Sequence, residues 1–161
     1  SGHVRIYQYA ANKTVAVTDQ TSATFGPVGW NRVGSDINGE AAADQSGFSV
    51  SLSANGETVA IGAKFNDGNG ANSGHVRIFQ FLSSGWTQLG GDIDGEAAGD
   101  ESGTSVSLST DGRTVAIGAY LNDGTGTSTS SGHVRIYTYN GTTWSKLGSD
   151  IDGETANEWS G

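Results

Sequence analysis

Three copies of one acidic phrase hold the residues best suited to bind a cation. They read SDINGEAAADQSG from Ser35, GDIDGEAAGDESG from Gly91 and SDIDGETANEWSG from Ser149. Each offers oxygen side chains at alternate positions about a glycine: Asp36, Asn38, Glu40 and Asp44 in the first, Asp92, Asp94, Glu96 and Asp100 in the second, Asp150, Asp152, Glu154 and Glu158 in the third. A hard cation such as Ca²⁺ needs this chemistry, because the chain must curl to bring about six to eight oxygens around it. The spacing lacks the full EF-hand pattern. The plainer reading is a solvated connector in which Asp and Asn side chains bond their own backbone in Asx-turns, so the expected cofactor is none or Ca²⁺.

Other polar residues recur in step with these connectors. The loops NDGNGANSG from Asn66 and NDGTGTSTSSG from Asn122 resemble cation loops in composition, yet only Asp67 and Asp123 carry charge, and they read as turns. His3, His75 and His133 are each followed two residues on by Arg5, Arg77 or Arg135. The histidines stand too far apart to share one ion if each belongs to a separate repeat. A second role suits the pairs better: His and Arg lie on one strand face, where each Arg reaches a connector carboxylate in a charge-assisted bond. Trp30, Trp86 and Trp144 recur at one place and read as packing between neighbouring repeats, while Trp159 stands where Gln45 and Glu101 stand in the other copies. Sequons at Asn12 and Asn140 mark glycan acceptors for a secreted eukaryotic product.

Catalytic patterns are absent: there is no GxSxG, Walker loop, HExxH or zinc pattern, and with no Cys there is no thiol nucleophile. A glycosidase needs one unlike carboxylate pair in a cleft rather than three copies of one phrase. The chain is therefore not expected to be an enzyme. Eight Lys and Arg against 17 Asp and Glu give a net charge of −9, which repels nucleic acid and anionic membrane. No apolar run approaches the roughly 20 residues of a spanning helix, so no membrane insertion is expected.

The elements that must position these residues follow from the repeat. SGHVRIY at Ser1, SGHVRIF at Ser73 and SGHVRIY at Ser131 lie 72 and 58 residues apart. An insertion at 10–29 inflates the first interval, and without it a stride of about 56–58 residues tiles the chain. Within one unit, 48–53 (FSVSLS) alternates as a strand and Asn55-Gly56 turns it, as Asp111-Gly112 does in the next copy. A second strand is expected over 58–63 (TVAIGA), a third over 75–81 (HVRIFQF) and, after a Ser84-Gly85 turn, a fourth over 86–89 (WTQL). Abundant glycine (26 residues), a single proline and an apolar fraction of 34% fit strands and tight turns. Four antiparallel strands per repeat without a helix predict all-β architecture, namely tandem blades of a β-propeller that pack face to face.

The run GFSVSLSANGETVAIGAKFNDGNGANSGHVRIFQF resembles an FG-GAP-type repeat, the blade unit of integrin-α-like seven-bladed propellers. Gly47-Phe48 takes the place of Phe-Gly, and Ile61-Gly62-Ala63 that of Gly-Ala-Pro, without the proline. The acidic Ca²⁺ loop that integrin-like repeats carry between their first two strands is here a tight Asn-Gly or Asp-Gly hairpin. The expected division is a partial blade at 1–45, comprising strands three and four plus the insertion, a full blade at 46–101, and a full blade with a lead-in to the next at 102–161. Seven blades of this length need about 400 residues, and the chain has no Met. It therefore reads as a processed product, an excised piece or a window on a longer polypeptide, part of a larger ring or array whose blade ends are covered by further blades or other copies. The function expected from these readings is an extracellular or cell-surface structural or adhesive module, contacting glycans or cell-surface proteins, as part of a surface appendage or fibre. The alternative is a Ca²⁺-dependent propeller module that binds carbohydrate or another ligand.

Overall fold

Alternating Val, Leu and Ile with Ser and Thr, punctuated by Asn-Gly and Asp-Gly, favours short strands joined by tight turns. The computed structural model describes residues 1–83, 85–124 and 130–161, and among these it contains fourteen strands and no helix. Ser84 of the expected turn and the middle of the loop after Asn122 lie outside the described residues.

The second repeat forms one antiparallel sheet of β5 (Ser49–Leu52), β6 (Thr58–Ala63), β7 (His75–Leu82) and β8 (Gly85–Gln88), in that order. The third repeats it with β10 (Ser105–Leu108), β11 (Thr114–Ala119), β12 (His133–Tyr139) and β13 (Trp144–Lys146). The first contains β1 (His3–Val4) and β2 (Tyr7–Tyr9), which pair with β4 (Ile37–Asn38) and β3 (Trp30–Arg32) respectively. Hairpin chemistry is explicit at the first turn. Asn55 Oδ1 accepts the Glu57 N–H at 3.0 Å, the Ser53 hydroxyl accepts the Thr58 N–H at 3.0 Å, and Gly56 takes the positive φ of 75° that the turn requires. Ser109, Asp111 and Gly112 reproduce it.

One expectation needs correction. The sequence presents each acidic phrase as a connector outside the sheet, yet its opening residues continue the fourth strand. After a break at 89–92, β9 (Ile93–Asp94) returns to β7 with His75 opposite Asp94 and Val76 opposite Ile93, and β14 (Ile151–Asp152) does the same on β12. Apolar burial reinforces this pairing at two copies, where Ile37 and Ile93 are buried in the core, each stabilising by about 1.5–3 kcal/mol, whereas Ile151 pairs in the same way while exposed.

The core lies between blades rather than within one. Ile37, Val59, Ile61 and Phe79 join the first blade to the second, with Val4, Ile6 and Trp86 packed around them. Ala60, Val76, Ile78 and Ile93 meet Val115 and Ile117 across the next junction. Opposite faces of β6 and β7 thus enter different cores, as a period of two requires. Glycine permits the close approach. A Cβ on Gly62 would stand 2.1 Å from the carbonyl oxygen of Gly103, and Gly103 holds a φ of 85° as it leads into β10.

The insertion is a long excursion closed on itself. Ala10 N–H donates to the Gly29 carbonyl at 2.8 Å, Val17 bridges Gly26, and Phe25 lies beneath the guanidinium groups of Arg32 and Arg5 at 4.8 and 5.7 Å.

Candidate functional site

The junction between blades gathers most of the polar residues that recur in the sequence. Alternation along β7 sends His75, Arg77 and Phe79 toward the preceding blade, and Phe79 enters the shared core while His75 and Arg77 meet the preceding connector. Arg77 Nη2 donates to the Asn38 carbonyl at 2.8 Å, and its Nη1 stands 3.4 Å from Glu40 Oε1. Arg135 makes the same pair of contacts one blade on, to the Asp94 carbonyl at 2.9 Å and to Glu96 Oε1 at 3.3 Å. These guanidiniums are buried, so the bonds carry more weight than surface ion pairs.

Each buried histidine faces two carboxylates drawn from different connectors. His75, 2% exposed, has Nδ1 3.9 Å from Glu40 Oε2 and 4.0 Å from Asp92 Oδ2. His133, 1% exposed, stands 3.9 Å from Glu96 Oε2, with Asp150 completing the group. In both groups the three ligand-type atoms lie within 4.8 Å of one another. Desolvation holds both imidazoles below their usual pKa, offset in part at His75 by Asp92 and reinforced at His133 by Arg135.

The remaining connector side chains do other things. Asp44 and Asp100 are buried, and their carboxylates accept the backbone N–H of Ala41 and Ala97 at 3.2 and 3.0 Å. The same oxygens accept the side-chain amides of Asn66 and Asn122 at 3.0 and 2.9 Å. Glu158 accepts from Glu154 and Thr155 N–H in the third copy. Asp36 is held by Arg5 Nε and Nη2 at 2.9 and 2.7 Å and by Arg32 at 2.9 Å. Hydrogen bonding from Arg5 pulls its carboxyl down to about 2 against the cost of partial burial, and Arg32 adds to the shift. Asn38, Asp94 and Asp152 lie on short strands whose backbone pairs with His3, His75 and His133. Asp94, Glu96 and Glu154 are exposed. The four side chains of a connector are thus divided among separate tasks.

Asn69, Lys64 and Tyr120 carry no signal in the sequence, whereas the recurring residues do. Asn69 donates to the Gly95 and Glu96 carbonyls at 2.9 Å, so the Asn66 loop braces the connector. Asp67 and Asp123 close their own loops by accepting the N–H of Asn72 and Ser130. Glu101 bonds Lys64 at 3.0 Å and Tyr120 at 3.1 Å, a cross-blade contact for which Trp159 has no equivalent group. Trp86 and Trp144 donate their indole N–H to the Val33 and Leu89 carbonyls of the blade before, at 2.8 and 2.6 Å. Asn12 and Asn140 are both exposed.

A model of the FG-GAP repeat matches residues 38–79 and 93–137, more than half of the chain. The chain belongs to the FG-GAP repeat family. Each matched FG-GAP unit starts in a connector and stops in the third strand, so 38–79 contains Glu40, His75 and Arg77, and 93–137 contains Glu96, His133 and Arg135. The sequence repeat and the blade are therefore out of phase: one FG-GAP unit encodes both sides of a junction, and its parts lie in adjacent sheets. FG-GAP repeats build β-propeller-like modules for protein–protein interaction and are common in extracellular and surface proteins. No curated protein matches the chain.

Proposed function

We propose that this chain is an extracellular structural or adhesive module whose blades hold loops and hairpin tips out to glycans or cell-surface proteins, within a surface appendage or fibre built from further blades or copies of the same chain. One observation supports this above the others: the same Arg, Asn and carboxylate clamp recurs at successive junctions, so the repeated polar chemistry joins blades together. A catalytic centre would require an unlike arrangement at one place, and the reading includes no catalytic step. The exposed excursion at 10–29 is unique to the first blade and is the favoured contact region.

Binding of the chain to protein and glycan arrays, compared with a variant in which 10–29 is replaced by a short turn, tests the proposal. Specific binding that weakens at least tenfold in the variant while the fold is retained supports it, and failure of the intact chain to bind any surface overturns it. The second reading, Ca²⁺-dependent carbohydrate or ligand binding, draws on Asp94 and Glu96, whose side chains remain solvent-facing. Under that reading the same array signal disappears when Ca²⁺ is removed by chelator.

A further inference from the structure

The two Glu–His–Asp groups combine burial with an unusual spacing. A buried imidazole normally donates to a carboxylate at about 2.7–3.2 Å, yet His75 Nδ1 faces Glu40 and Asp92 at 3.9 and 4.0 Å. His133 repeats this at 3.9 Å from Glu96, and its Nε2 also has no hydrogen-bond partner. These separations are too long for a direct bond and a few tenths of an ångström wider than two donor atoms on one tetrahedral ion, a gap the partly exposed carboxylates can close. Bonds of about 2.0–2.2 Å, opened from tetrahedral to wider angles, place nitrogen and oxygen about 3.4–4 Å apart.

We propose that each blade junction is a binding site for a divalent transition-metal ion of the zinc class, held by Glu40, His75 and Asp92 at the first and by Glu96, His133 and Asp150 at the second. One imidazole and two carboxylates leave a fourth position open to water on the side where Glu40 and Asp92 are partly exposed. Such a mixed set suits zinc better than Ca²⁺, which prefers more numerous oxygens and no nitrogen. The outer shell is also present. Arg77 holds the far oxygen of Glu40 at 3.4 Å, and Gln88 donates to Asp92 Oδ1 at 2.5 Å, so both carboxylates are oriented. Burial keeps the imidazoles neutral, the form that ligates a metal.

The charges rank the two sites. At the first junction two carboxylates oppose one cation, Arg77, whereas at the second Arg135 and Lys146, the latter 2.8 Å from Asp150, offset both carboxylates. The first junction is therefore the tighter site. A metal here joins blades through one strand and two connectors, whatever the exposed loops bind.

Calorimetric titration of the metal-free chain with zinc chloride tests this, with cobalt absorption reporting coordination geometry. Two ions per chain are expected, the first bound at least tenfold more tightly, and the melting midpoint rises with zinc. Glu40→Gln removes the tighter site and Glu96→Gln the weaker. The circular-dichroism spectrum of each metal-free variant checks that folding is retained, since both side chains also contact the clamp arginines, and His3→Asn leaves binding unchanged. Absence of zinc binding, unchanged stoichiometry in the Glu40→Gln, Glu96→Gln double variant, or an equal stabilisation by Ca²⁺ each overturns the proposal.

Discussion

His3, Arg5 and Asp36 in the first blade are the same residues, at the same positions of the sequence repeat, as His75, Arg77 and Asp92 in the second, but their environments differ. No connector carboxylate among the described residues faces His3, which is exposed, and Arg5 turns to Asp36 of its own blade, leaving its side chain 30% exposed. Where a connector packs across the junction, Arg77 drops to 8% exposure and reaches the neighbouring Asn38 and Glu40, while Asp92 is left to Gln88 and His75. One tripeptide thus makes a pair within a blade or a clamp between blades. The neighbour decides, because a guanidinium takes whichever carboxylate or carbonyl is nearest once it is desolvated.

The largest effect that should sharpen this contrast lies in the core beside the clamp. Ile93 and Ile151 occupy equivalent positions, yet Ile93 is 5% exposed between two blades and Ile151 is 54% exposed. Ile93→Ala should cost about 2–5 kcal/mol in chemical denaturation, whereas Ile151→Ala should cost about 0.5 kcal/mol or less. Equal losses would break the idea that blades are stabilised chiefly by their neighbours. A smaller difference is expected between the arginines. Arg77→Met removes a buried charge-assisted bond and leaves the Asn38 carbonyl without this donor, at about 1.5–3 kcal/mol, and Arg5→Met should cost less, because its pair is solvent-screened.

The smallest effect is the contribution of Asp36, in the first blade, to the acid limb of stability. Because the Asp36 carboxyl is lowered to about 2 in the folded chain, its ion pairs stabilise the fold fully above its ordinary value of 3.8 and are lost as pH falls through about 2. Asp36→Asn should flatten the acid limb of a stability curve in that interval. An unchanged limb would show that Arg5 and Arg32 do not hold the group in solution.

Much of the blade was legible because strands have a period of two. TVAIGA at 58–63 is β6 with the expected bounds, and HVRIFQF is β7 with one residue added at its end. The indole positions were legible as packing, although their hydrogen bonds to the preceding blade were not. The connector was read less well. Its Gly and acidic residues point to a turn, and the single Ile93 on which it returns to the sheet carries little periodic signal in a two-residue strand. The candidate site divided in the same way. Treating Asp92, Asp94, Glu96 and Asp100 as one ligand set followed their proximity in sequence, but only Ile93 and Asp94 are strand, and the bends on either side send the flanking carboxylates to different partners. Asp92 therefore meets His75, Glu96 meets His133, and Asp100 caps Ala97.

What the sequence determined by itself was the unit: its length, its four strands, its turns and the face on which His and Arg lie, all of them consequences of local backbone preference and alternation. Which carboxylate each His and Arg meets was decided only by the tertiary structure. The groups that form a junction belong to different sheets, and only the packing of apolar faces across Ile61, Phe79 and Ile37 fixes how those sheets align.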